Sequence, residues 1–494
     1  MTVPIQPEVA QIGPRELADL LGRWPSAEGA LYRLLATRIG RLADTGQLPP
    51  GVRLPPERAL AAALSVSRNT VALAYQVLRD DGMAESRQGS GTRLVPHRVT
   101  PAATHRANGF FTGMLDAATT AIDLSMATVE CAPAVAEVLA DPGSVLSYAE
   151  RTEVTAGRGY LPFGQPRLRA AIAEMLTAAH GVPTTPEQVL VTSGAQQALD
   201  LLLRSEAAPG QPVVCEDPTY AGFLDALHRA GARPVGVPPG DVARLAEAVR
   251  THQPAVAFLI PTFQNPTGRV LPAAERHEVI GLAARHPDVT FIDDMTLAEV
   301  PLPRDGAGGT EAGPMAGTVD EPQPPPLAAL APRLPNVVTV GSLSKTYWGG
   351  LRTGWVRAPE GIIARLAATK AASDLSGPPF QQAIAAELIR GRHDEIIKWR
   401  QEWVRPRYEA LADALRALLP AWEWAPPSGG LTLWARLPGD TDSGAFAQAA
   451  LREGVAVIPG RLVSVSADRT PWLRLAFTSS PADLAAAAAA LARV

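Results

Sequence analysis

Between residues 189 and 342, short apolar runs (VLVTSG, PVVCEDP, AVAFLIPT, VTFIDD, NVVTVGS) alternate with helical stretches such as AQQALDLLLR and GFLDALHRAG. Runs that are apolar at nearly every position belong to strands buried on both faces, and the helices between them supply the crossovers that parallel strands require. The alternation predicts an α/β fold, a parallel sheet with helices on both faces. Residues 303–335, rich in Gly, Pro and Ala, interrupt it and read as a mobile surface insertion. After a long helical stretch near 393–419, the segments GGLTLWARLP, VAVIPG and WLRLAFTS predict a smaller α+β domain.

The first hundred residues follow a different plan. In LYRLLATRIGRLADTG, Leu31, Leu34, Leu35, Ile39 and Leu42 recur at helical spacing. A proline-rich turn leads into a second helix from about Pro56 to Leu64. A third starts after Ser67, a good N-cap, buries Val71, Tyr75 and Leu78, and stops at Gly82. MAESRQGSGTRLVP then reads as two short strands around a glycine turn. Three helices and a hairpin make a winged helix-turn-helix, expected over residues 29–96, with 97–120 as linker and 121–494 as a separate unit. Residues 29–98 hold ten arginines against five acids, a balance of +5, so the rest of this −4 chain carries −9. A basic segment on an acidic body is what an anionic partner selects, although a solvated basic face gives the same count.

In a helix-turn-helix the start of the second motif helix enters the major groove. Arg68, Asn69 and Thr70 occupy those positions. Arginine can pair with guanine edges and asparagine with adenine, while Arg53, Arg58 and Arg87 suit phosphates. The segment LPPERALAAALSVSRNTVALAYQVLRDDGMAESRQGSGT resembles the GntR-type pattern LPSxRxLAxxLxVSRxTVxxAYxxLxxxGxxxxxxGSGT. That resemblance implies double-stranded operator DNA as a partner.

Of 45 basic residues only Lys345, Lys370 and Lys398 are lysines. Unlike a guanidinium, a lysine amine can form a Schiff base, and pyridoxal phosphate is the aldehyde cofactor most often held that way. Lys345 lies in SLSKTYWGGLRTGWV, directly after an apolar strand. The other parts such a cofactor needs occur in order. TSGAQQAL puts Ser193, Gly194, Ala195 and Gln196 at a strand-to-helix turn suited to a phosphate, and Ser342 and Arg352 flank the lysine. Asp293 in FIDD can keep a pyridine nitrogen protonated, Asn265 can donate to the ring oxygen, and Tyr220 can stack on the ring. Arg474 can clamp a carboxylate.

In this order and spacing the residues resemble the fold-type I aminotransferases, from near Ile122 to the end. The resemblance implies that Tyr160 in YLPFG reaches the phosphate across a homodimer interface. The joined architecture resembles the MocR subfamily of GntR regulators, a winged helix fused to an aminotransferase-like effector domain. Two departures stand out: Met295 where the family usually has a tyrosine, and Trp348 where a smaller residue is usual. The resemblance implies a pyridoxal-phosphate-dependent regulator sensing an amine or amino acid by aldimine exchange at Lys345. A turning-over aminotransferase is the alternative.

Other classes fit less well. SLSK matches the S-x-x-K of serine hydrolases, but it follows a strand and neither K-T-G nor S-D-N accompanies it. Cys131 and Cys215 are too few and too distant for a metal or disulfide framework. The 46% hydrophobic and 19% charged composition, with no long apolar run and no signal-like start, predicts a cytoplasmic protein without a membrane partner.

Overall fold

The computed structural model describes residues 11–22, 24, 30–44, 47–49, 51–87, 91–95, 122–302, 323–466 and 470–494. The amino-terminal unit comprises helices α1 (Pro14–Leu21), α2 (Leu31–Asp44), α3 (Glu57–Ala63) and α4 (Arg68–Asp80). Strands β1 (Ala84–Arg87) and β2 (Gly91–Leu94) follow as an antiparallel wing, Ala84 opposite Leu94. Ser67 caps α4, its Oγ accepting the Thr70 N–H at 3.0 Å. Val71, Ala74, Tyr75 and Leu78 turn inward from α4, so its first residues Arg68 and Asn69 stay exposed. The unit begins earlier than residue 29. Ile12, Leu17, Leu21 and Trp24 share the core of α2–α4, which makes α1 part of the same body. The expected linker 97–120 lies outside the described residues.

The rest of the chain opens with β3 (Ile122–Asp123) and then builds the sheet that the alternation predicts. Strands β4 (Val189–Thr192), β5 (Pro212–Glu216), β6 (Arg233–Val237), β7 (Val256–Leu259), β8 (Thr290–Asp294), β9 (Val337–Ser342) and β10 (Gly354–Arg357) lie in the order β4-β10-β9-β8-β7-β5-β6. All neighbours are parallel except at β10, which runs antiparallel to β4 and β9. Strands β4 and β7–β10 are buried at every position, because helices cover both faces. Helices Pro166–His180 and Pro379–Leu418 pack on one face, and Ala195–Glu206, Ala221–Ala230 and Glu360–Asp374 on the other.

Strands β11 (Glu423–Trp424), β12 (Thr432–Arg436), β13 (Val455–Ala456), β14 (Ile458–Pro459) and β15 (Trp472–Ala476) belong to the smaller domain, whose sheet runs β11-β12-β15-β14. Within it β13 pairs in parallel with β3, so residues 122–124 belong to the small domain.

Two expectations need correction. The long helix spans 40 residues, Pro379–Leu418, rather than 393–419; Gly391 and Pro406 lie inside it and broke the helical pattern in the sequence. Residues 303–322 lie outside the described residues, but the end of the expected mobile insertion is packed. Leu327–Leu330 is a short helix with Leu327 and Ala328 fully buried, and the Leu327 N–H donates to Asp293 Oδ2 at 2.8 Å. Among the described residues, no helix is long and apolar enough to cross a membrane.

Candidate functional site

β9 ends at Ser342, and the chain then makes one π-helical turn, Ser344–Trp348, that carries Lys345. Such turns place a side chain off the regular helical path and are common at functional sites. Arg352 follows in a left-handed conformation, φ +46°, which aims it back toward Gly194. Gly194 has φ +125° and opens the helix Ala195–Glu206. A Cβ placed there would lie 3.5 Å from Arg352 Nη2 and 3.8 Å from both Ser342 Oγ and Ser344 Oγ. A helix amino terminus, two hydroxyls and a guanidinium thus face one small volume, a cradle for a phosphate. Gly354 lets β10 press against this turn, since a Cβ there would come within 2.6 Å of Gly194 Cα.

Lys345 and Arg474 reach the same strip of backbone. Lys345 Nζ donates to Ala127 O at 2.7 Å, and Arg474 Nη2 donates to Ser125 O at 2.6 Å. Burial, joined by the guanidinium of Arg474 and opposed by Asp294, lowers the lysine pKa to about 8. Burial likewise brings Arg474 down to about 10. Trp434 and Ile458 flank Arg474 in the ladder, and with Met126, Leu462 and Val463 they form an apolar wall against Ala221.

Asp293 and Asp294 are consecutive on β8, and consecutive strand residues face opposite ways. The carboxylate chosen from sequence, Asp293, receives the Leu327 N–H and lies beside Arg276, which bonds to Pro261 O, Thr262 Oγ1 and Leu271 O. Asp294 is the one whose charge acts on Lys345 and Tyr220. Burial raises its pKa to about 6, against hydrogen bonds from Thr296. Sequence reasoning passed over Asp294 because two adjacent acids read alike until the faces of the strand are fixed.

Among the remaining candidates, Asn265 Oδ1 is buried without a hydrogen-bond partner, an open acceptor rather than the donor that a ring oxygen needs. Tyr220 caps the helix Ala221–Ala230, and burial pushes its phenol to about 12. The side chain of Gln196 donates through Nε2 to Gly222 O at 2.7 Å, fixing the start of that helix. Tyr160 is 67% exposed, remote in character from the buried cluster. Met295 is buried, its N–H bonded to Val340 O.

One polar network under the lysine carried no sequence signal, because its members come from distant segments. Glu299 Oε1 lies 3.0 Å from His180 Nε2 and 3.3 Å from His393 Nε2, and its Oε2 accepts from Thr346 Oγ1 at 3.2 Å. The Tyr347 hydroxyl and His393 Nδ1 are 2.7 Å apart. Both residues after Lys345 are therefore fastened to the scaffold. Burial pushes the Glu299 pKa up, but the two histidines outweigh it and bring it to about 2.

The cradle, the amine and the buried Asp294 fit pyridoxal phosphate, the group implied by the sequence resemblance. In the amino-terminal unit, Arg68 is exposed and paired with Glu57, Nε to Oε2 at 2.9 Å, and Arg58 and Asn69 are exposed. Thr70 Oγ1 is 2.9 Å from Ser67 Oγ, and Arg53 packs beside the wing at Gly91. The side chain of Arg87 lies outside the described residues.

Comparison with known proteins covers both halves. Aminotransferase class I and II matches residues 127–491, and bacterial regulatory proteins, gntR family, match residues 31–94. The 2-aminoadipate transaminase of Thermus thermophilus is 30% identical over 359 residues, 71% of this chain and 81% of that protein. The probable rhizopine catabolism regulatory protein MocR of Rhizobium meliloti is 30% identical, covering 67% of this chain and 66% of that one. The pyridoxine biosynthesis transcriptional regulator PdxR of Corynebacterium glutamicum is 28% identical over 84% of this chain and 85% of its own. The solved α-aminoadipate aminotransferase LysN of Thermus thermophilus, complexed with a phosphopyridoxyl-leucine, superposes with a TM-score of 0.65 at 26% identity, over 78% of this chain and 93% of that one.

Proposed function

Because the chain belongs to the class I and II aminotransferase family and joins that domain to a gntR-family DNA-binding module, as MocR-type regulators do, we propose that it is a transcription regulator that senses a primary amine bearing a carboxylate at Lys345. Pyridoxal 5′-phosphate is the cofactor of its family. When bound, it supplies an aldehyde that exchanges between primary amines. Ser342, Ser344, Arg352 and the amides of Gly194–Gln196 hold the phosphate. Lys345 holds the aldehyde carbon, Asn265 meets the ring oxygen, Tyr220 covers the ring, and Asp294, rather than Asp293, meets the ring nitrogen. Arg474 takes the effector's carboxylate, and the wall of Met126, Trp434 and Leu462 favours an apolar side chain on it. Arg68, Asn69 and Thr70 read operator bases, and Arg53, Arg58 and Arg87 contact phosphates. The protein acts as a homodimer, with Tyr160 completing the partner's site.

One observation carries this reading: Lys345 and Arg474 donate to carbonyls two residues apart, Ala127 and Ser125, and the charge of Arg474 acts on the lysine, so an amine and a guanidinium serve one pocket. The test is to load the protein with cofactor and titrate amines and amino acids, following the visible absorption band and binding to DNA upstream of its own gene. The band should vanish in Lys345→Ala. Turnover at ordinary aminotransferase rates, with operator affinity indifferent to every amine, would sink the regulator reading.

A further inference from the structure

The DNA-binding unit and the cofactor pocket share one neighbour, the small domain. Polar anchors fasten the unit to it, among them Arg15 Nη2 to Asp442 Oδ2 at 3.3 Å. Asp19 of α1 is held by Arg461, whose Nε lies 2.7 Å from Oδ1 and 3.0 Å from Oδ2, and whose Nη2 also donates to Oδ1. Both side chains are largely withdrawn from solvent. A Cβ on Gly444 would overlap the Arg461 guanidinium, so the first turn of helix Ser443–Arg452 is shaped around that side chain. The Trp24 indole N–H donates to Gln448 Oε1 at 3.2 Å. Arg452 donates to the carbonyls of Leu64 and Ser65 at 2.9 and 2.6 Å, and Ser65 Oγ donates to Ala445 O at 2.9 Å.

Leu64 and Ser65 form the turn between α3 and α4, just ahead of the cap of the base-reading helix. Ser65 holds φ +50°, a conformation uncommon for a residue with a Cβ, so this turn depends on what grips it. Beside the anchors a cleft of about 1040 Å³ separates α1 and α3 from helix Ser443–Arg452. The joint is thus made of directional contacts beside a gap.

The pocket lies on the other side of the same small domain. Ile458 pairs with Arg474 in the ladder and stands three residues before Arg461. Ser125, the carbonyl partner of Arg474, lines a cavity of about 80 Å³ together with Asp19, Gly22, Ile458 and Arg461. One layer of residues separates the guanidinium that takes the carboxylate from the ion pair that holds α1. A carboxylate arriving at Arg474 competes with Ser125 O for its N–H groups. Ser125 continues β3, which is hydrogen-bonded to β13 just ahead of Ile458.

We infer that the Asp19–Arg461 and Arg452–Ser65 contacts couple occupancy at Lys345 and Arg474 to the orientation of α4, a regulation that rests on the sensor reading above. The structural requirement is a joint that both sites bias, and these contacts supply it.

The test uses the cofactor-loaded full chain and aminooxyacetate, a probe that joins a nucleophilic amine to a carboxylate. Visible absorption reads its binding, and fluorescence anisotropy on DNA from upstream of the protein's own gene reads operator affinity. Coupling of ordinary strength gives the wild type roughly a 5- to 150-fold change in operator affinity, and Asp19→Asn, Arg461→Gln and Arg452→Met should each cut this below about twofold with the spectral titration unchanged. The reversed pair, Asp19→Arg with Arg461→Asp, should regain part of the response. Hydrogen exchange at residues 17–22 and 64–66 adds a readout that poor folding of one variant cannot mimic: it should change when probe binds the wild type. Variants that respond as fully as wild type, or exchange at those amides indifferent to the probe, overturn the coupling and leave the sensor reading standing. A wild type whose spectrum responds while its operator affinity does not overturns the sensor reading and the coupling with it.

Discussion

Only a neutral amine attacks an aldehyde, so the depressed pKa of Lys345 sets how fast the apo-protein captures its cofactor. Burial is the main cause, Arg474 and Arg352 add to it, and Asp294 opposes them, with the result at about 8 against an ordinary 10.5. At pH 7.5 a lysine at its ordinary value is neutral about 0.1% of the time, and one titrating near 8 about 24%, a gain of about 240-fold in reactive amine. Stopped-flow absorbance after mixing apo-protein with pyridoxal phosphate between pH 6 and 10.5 measures this directly. The rate should rise about tenfold per pH unit at first and level off near pH 8. Arg474→Gln removes a positive neighbour and should move the bend upward. Asp294→Asn removes the opposing negative charge and should move it downward. A rate that keeps climbing through pH 10, or a bend that neither substitution moves, would refute the argument.

The two acids at the end of β8 can be separated by paired substitution: Asp294→Asn should weaken cofactor binding and shift its absorption band more than Asp293→Asn, measured by equilibrium titration. Gly354→Ala should lower cofactor affinity roughly tenfold or more, because its methyl meets Gly194 backbone that forms the phosphate cradle. Glu299→Ala leaves two histidines and Thr346 without their shared acceptor and should cost about 3 kcal/mol in urea unfolding. Since the folded pKa of Glu299 is depressed to about 2, its contribution is present above the ordinary value of 4.5 and lost as pH falls from there. The stability gap between wild type and variant should therefore narrow in acid. Arg68→Ala and Asn69→Ala should each cost about 1–3 kcal/mol in operator affinity, by anisotropy at fixed salt, and leave the cofactor spectrum untouched.

Local chemistry made much of this protein legible in its sequence. The Ser67 cap and the inward set Val71, Tyr75 and Leu78 depend only on neighbours within a turn or two, so α4 and its exposed start could be read from spacing. The apolar runs gave the buried strands for the same reason, and lysine rather than arginine at 345 is what the proposed imine requires. What sequence could not decide was which side each residue faces and what meets it from far along the chain. The adjacent acids Asp293 and Asp294 differ only in the face of β8 they occupy, and that is set by the helices packed on each side. The packed helix Leu327–Leu330 lay hidden in a Pro- and Gly-rich stretch because its stability comes from burial against β8 and β9, not from its own pattern. The pairs Asp19–Arg461 and Arg452–Ser65 join residues several hundred positions apart, and no local rule brings them together. Only the tertiary fold, by seating the small domain between the pocket and the DNA-binding unit, decides that one can act on the other.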